Sequence, residues 1–127
     1  MKDQTPQPAP DPASKGVIEM GRAEAYLNNI LSQAFRDKDD AVELQSIPMG
    51  LEVSWVAFGS GVGTVVSDRS LAAEILELVI GRAGLATAAK GELVWKSRGR
   101  RTRVIPVEKC QRAGATVFRL LLKPAQQ

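Results

Sequence analysis

Histidine is absent from this chain, and cysteine occurs once, as Cys110. A single thiol cannot form an internal disulfide, and it fits a reducing compartment. Without histidine or a second cysteine, neither a thiolate–imidazole pair nor the usual zinc sites can be assembled. Cys110 therefore reads as a half-buried small hydrophobe. Aromatic residues are also scarce: Tyr26, Phe35, Trp55, Phe58, Trp95 and Phe118. The core is expected to be mostly aliphatic. No apolar run approaches the roughly 18 residues needed to span a bilayer. The first sixteen positions, MKDQTPQPAPDPASKG, lack the apolar stretch of a secretory leader. No membrane partner and a cytoplasmic location are expected.

What is present suits one globular domain. The 127 residues are 44% hydrophobic and 24% charged, ordinary for a chain that buries a core without metal or disulfide support. Prolines at 6, 8, 10 and 12 leave residues 1–15 with little apolar surface. This segment is read as a disordered tail, with a single α+β domain over residues 16–127.

Within that domain, Val17 to Met20 suits either a first strand or the lead-in to a helix. Ala23, Leu27, Ile30, Leu31, Ala34 and Phe35 share one face of a helix, which the charged run Arg36 to Asp40 ends. Alternation predicts strands over Ala41 to Ile47 and Leu51 to Phe58, separated by the turn Pro48-Met49-Gly50. The run Gly59-Ser60-Gly61-Val62-Gly63 reads as a flexible lead-in to a second helix. It matches neither the dinucleotide fingerprint nor the P-loop spacing, although a helix N-terminus behind such a loop attracts anions. Asp68 or Ser70 caps that helix. Leu71, Ala72, Ile75, Leu76, Leu78, Val79 and Ile80 make it apolar nearly all round, so burial on more than one side is expected, between the sheet and a second subunit. Residues 85–90 read as a loop. Strands are expected over Glu92 to Lys96, Thr102 to Val107 and Ala115 to Leu122, with a turn at Cys110 to Gly114. The expected architecture is two helices packed on a mostly antiparallel sheet with a late basic β-hairpin.

Charge is distributed unevenly. Residues 1–45 carry a net charge of −3, residues 46–90 of −1 and residues 91–127 of +7. Five cations fall in the eight residues Lys96-Ser97-Arg98-Gly99-Arg100-Arg101-Thr102-Arg103, with no acid among them. Close cations repel by about 1 kcal/mol per near pair in water, so folding alone gives little reason to gather them. A polyphosphate does: each neutralised phosphate releases a counterion. Lys96, Arg98, Arg100, Arg101 and Arg103 are the candidate phosphate contacts, with Lys109 and Arg112 extending the same surface. Arginine outnumbers lysine here, which suits bidentate phosphate contacts.

No nucleophile–base–acid set can be drawn from these residues, and neither catalysis nor a cofactor is expected. The functional expectation is nucleic-acid binding, DNA or RNA, with little sequence specificity. The alternative is a protein-interaction or inhibitor module using the apolar second helix and an exposed sheet edge.

Four short segments resemble the Alba-like nucleic-acid-binding domains. Val17-Ile18-Glu19-Met20-Gly21-Arg22 resembles their first strand and the basic opening of their first helix. Ala57-Phe58-Gly59-Ser60-Gly61 is similar to their second-strand exit into a glycine turn. Leu71 to Leu76 looks like their second helix, and Thr116 to Lys123 their closing strand. The stretch between the helices is longer here than in that family. The resemblance implies a homodimer, with Arg22 joining the basic hairpin on the nucleic-acid backbone.

Overall fold

The structure, a computed structural model, describes residues 12–96 and 102–122. Two helices and six strands follow in the order α1 (Pro12–Arg36), β1 (Ala41–Ile47), β2 (Gly50–Ala57), β3 (Ser60–Val66), α2 (Arg69–Ala83), β4 (Lys90–Lys96), β5 (Thr102–Arg112) and β6 (Ala115–Leu121). The strands form one sheet in the order β3-β2-β1-β6-β5-β4, with every neighbouring pair antiparallel. Both helices lie on one face of it. The α+β architecture expected from the sequence is thus observed.

Side chains alternate across each strand, so the register separates a helix-side face from an open face. Val42, Leu44, Leu51, Val53, Leu93, Ile105, Val107, Phe118 and Leu120 point to the helices and are buried. From α1, Ala23, Leu27, Ile30, Leu31 and Ala34 complete this core, as their spacing predicts. From α2 come Leu71, Ala72, Ile75, Leu78, Val79 and Ala83. That helix packs against α1 as well as against β2 and β4. Its apolar circumference is satisfied within one chain, and no second subunit is needed to account for it.

Two tryptophans tie α1 across the sheet. The Trp55 indole N–H donates to the Ile30 carbonyl at 3.1 Å, and that of Trp95 donates to Asn28 Oδ1 at 2.7 Å. Both rings bury area while keeping a partner for the polar edge.

Four sequence expectations need correction. The first helix starts at Pro12 rather than beyond residue 15, and it absorbs Val17–Met20. Proline suits this place, because a first-turn N–H has no intrahelical acceptor anyway. The glycine run is a strand, β3, paired residue by residue with β2 from Ala57–Ser60 to Leu51–Val66. Gly61 and Gly63 read as loop residues in isolation, and continuous pairing with β2 is what holds the segment extended. The glycines consequently do not cradle the start of α2. Asp68 occupies that N-terminus, accepting from the Leu71 N–H at 3.1 Å, and its carboxylate takes the place an incoming anion would need. Finally, β5 runs through Cys110 to Arg112, so the turn narrows to Ala113 and Gly114. The half-buried state of Cys110 is as expected.

Candidate nucleic-acid interface

The last pairs of the β4–β5 hairpin, Val94–Val104, Trp95–Arg103 and Lys96–Thr102, stand past Leu121, where β6 ends. At about 3.3 Å per residue they form a two-stranded ribbon that, among the described residues, extends about 10 Å beyond its neighbour strand. Val94 and Val104 share its open side and are largely exposed. Lys96 is on that side and exposed. Arg98, Arg100 and Arg101 lie outside the described residues.

The helix-side face of the ribbon is occupied differently. Phe35, near the end of α1, stacks on Trp95 with ring centroids 5.3 Å apart and planes 8° from parallel. The Arg103 guanidinium carbon sits 4.2 Å from the Phe35 centroid. Arg103 thus closes the edge of the core by a cation–π contact, worth about 1 kcal/mol at a half-exposed position. Arg103→Ala is expected to lower stability by about that amount, measurable as a shift of the urea midpoint with unchanged slope. No stability change would show that the stack is not formed. The charge run signalled a ligand surface here; the packing role of Arg103 depends on Phe35, 68 positions away in sequence, which local pattern does not reveal.

Three other candidate cations also have partners inside the chain. Arg22 bridges the helices, with Nη2 3.0 Å from Glu74 Oε2 and Nη1 3.4 Å from Asp68 Oδ2. Lys109 lies on the helix-side face and donates from Nζ to the Leu85 carbonyl at 3.2 Å. Arg112 lies on the open face and grips Glu43 with both terminal nitrogens, at 2.8 and 3.0 Å. Arg119 adds a third contact to the same carboxylate at 3.0 Å. The Arg112 hydrogen bonds, and then the positive charge of both arginines, hold the Glu43 pKa below its ordinary value, although partial burial opposes the shift. Glu43 is the hub of a charge row that spacing could not announce, because its partners come from β5 and β6. The eight candidate residues therefore do not form one patch: Lys96 belongs to the ribbon, and Arg22 and Arg112 lie on opposite faces of the sheet.

A cleft of about 370 Å³ opens between α1 and the outer edge of β4, lined by Leu27, Asn28, Arg82, Leu93, Trp95 and Lys96 among others. Among the described residues, no cluster of acidic or cysteine side chains could hold a metal ion, and no helix is long and apolar enough to cross a membrane. No family model matches the chain, and no curated protein matches it.

Proposed function

We propose that the protein binds nucleic acid through its phosphate backbone, using the β4–β5 ribbon and the basic segment that joins its strands. One observation carries this reading: a two-stranded ribbon projecting from the sheet leads directly into a segment with five cations in eight residues. A two-stranded β-ribbon fits the major groove of a duplex, and clustered arginines gain affinity by releasing counterions. Lys96, Arg98, Arg100 and Arg101 make the phosphate contacts in this reading. Arg103, Lys109, Arg112 and Arg22 already have partners in the fold and contribute secondarily. A homodimer is compatible with this use and would double the number of ribbons.

The test is titration of fluorescent random-sequence oligonucleotides, single- and double-stranded, between about 50 and 200 mM salt. The logarithm of affinity should fall linearly with the logarithm of salt concentration, and Arg100→Ala with Arg101→Ala should flatten the slope by roughly two units. Binding that is absent at low salt, or unchanged in the double variant, would sink this assignment.

A second reading, a protein-interaction module working through an exposed sheet edge, is favoured by a separate observation. Strand β3 lies at the edge of the sheet, and six of its seven residues are exposed.

A further inference from the structure

The sheet has two edges, and they are built differently. On β4, Lys90, Glu92 and Lys96 place charges along the strand, a common protection against pairing with another chain. On β3, the segment Ser60-Gly61-Val62-Gly63-Thr64-Val65-Val66 carries no charge at all. Up to Val65 the helices do not cover it, and only Val66 is buried: Val62 is on the helix-side face opposite Trp55 and is 74% exposed. Val65, on the open face, is 41% exposed.

The β2–β3 turn determines which backbone groups look outward. Phe58 and Gly59 both have positive φ, at 55° and 79°, as a two-residue type I′ hairpin requires. In such a hairpin the flanking pair, Ala57 and Ser60, is hydrogen-bonded, and bonded pairs then alternate with unbonded ones. The N–H and C=O groups of Gly61, Gly63 and Val65 therefore point away from β2, toward the free edge.

We propose that β3 is the seam of a two-fold dimer, in which the β3 strands of two copies pair antiparallel about Gly63 and join the two sheets into one. This rests on the exposed-edge reading above and names its occupant. Three features favour a second copy over a foreign strand. First, two-fold pairing sets Gly63 against its equivalent, Gly61 against Val65 and Val62 against Thr64. A strand meeting itself suffers when it is charged, and this one has no charge to oppose. Second, the axis passes a residue without a side chain, so nothing crowds the crossing on the open face. Third, the exposed Val62 gains a partner in Thr64 of the other copy. Isologous interfaces of this kind are the commonest in homo-oligomers.

The full chain should sediment at twice its 13.7 kDa mass, with a dissociation constant little changed by salt because the seam is uncharged. Val65→Pro removes an N–H only from the free edge and leaves the β2–β3 ladder intact, so it should weaken the dimer by about a hundredfold. Should that variant fail to fold, Val62→Lys with Thr64→Lys alters two positions already exposed in the single chain and opposes lysines across the seam. It should be monomeric, with the circular dichroism of the wild type. Val94→Lys, on the other edge, should remain dimeric. A wild type that stays monomeric at about 100 μM would overturn the proposal, since a weaker seam could not hold the dimer at useful concentrations. So would a dimer that survives in the lysine variant.

A photo-crosslinking residue at position 62 separates this proposal from the reading beneath it. An adduct of two copies supports the dimer. An adduct with a different protein overturns the dimer but keeps the edge as a docking site, and a monomeric chain without any adduct removes both.

Discussion

Replacing Gly91 by alanine is expected to destabilise the fold by about 3 kcal/mol, at the upper end for an overpacked site. A β-carbon at this position would come within 1.8 Å of the Ala83 carbonyl oxygen and 2.9 Å of its carbon. Both are backbone atoms at the end of α2, so no rotamer change relieves the overlap. Either α2 lifts from β4 or the strand bends. The helix cannot lift freely, because Leu78, Val79 and Ala83 are buried beneath it and the Lys109 N–H holds the next segment through the Ala89 carbonyl at 2.7 Å. For a chain of this length, 3 kcal/mol corresponds to a fall in Tm of roughly 10 °C. Gly81 provides the control. It lies inside α2, and an added β-carbon there meets nothing within 4 Å. Gly81→Ala should therefore raise stability by about 0.5–1 kcal/mol through helix propensity. Equal effects at the two positions would show that the close approach of α2 to β4 is not present in solution.

The second large effect is expected at Glu43. Its carboxylate accepts from Arg112 twice and from Arg119 once, and its side chain is only 14% exposed. Charge-assisted bonds of this kind support a loss of about 2 kcal/mol for Glu43→Gln at neutral pH; Arg112 is more than half exposed, so solvent screening keeps the value from rising further. The dependence on pH has a definite sign. Because the folded-state pKa is depressed, the stabilisation is fully present above the unfolded-state value and is lost as pH falls through the lowered one. The difference between wild type and Glu43→Gln should shrink steadily below the ordinary carboxylate range, as the wild-type side chain takes up its own proton. Denaturation at a series of pH values reads this directly, and a difference independent of pH would exclude the ion-pair account. The same substitution releases two guanidinium groups on the open face. Under the proposed nucleic-acid reading, oligonucleotide affinity at low salt should then rise while stability falls, a combination that loss of fold alone does not produce.

These two sites show where sequence reasoning reaches and where it stops. The helical period from Ala23 to Phe35 and the alternations in β1 and β2 were legible because each element shows its buried face in its own residues. The cap of α2 was narrowed to Asp68 or Ser70 by residue type, and the structure selects Asp68. Strand β3 was not, because two of its seven residues are glycines and its partner, rather than its composition, makes it extended. The basic segment was legible as a concentration of charge. The fates of Arg22, Arg103, Lys109 and Arg112 were not, since each is decided by a residue from a distant element: Glu74, Phe35, Leu85 and Glu43.

By itself, then, the sequence determined the class of the fold, the aliphatic core and the place where positive charge accumulates. All three follow from local periodicity and composition. Only the tertiary structure decided which cations are already neutralised, that Gly91 is a point of backbone contact, and that one sheet edge is charged and the other bare. Those depend on which strands become neighbours, and the order β3-β2-β1-β6-β5-β4 brings together residues as distant in sequence as Ala41 and Leu121, with Glu43 beside Arg119 in the same strand pair.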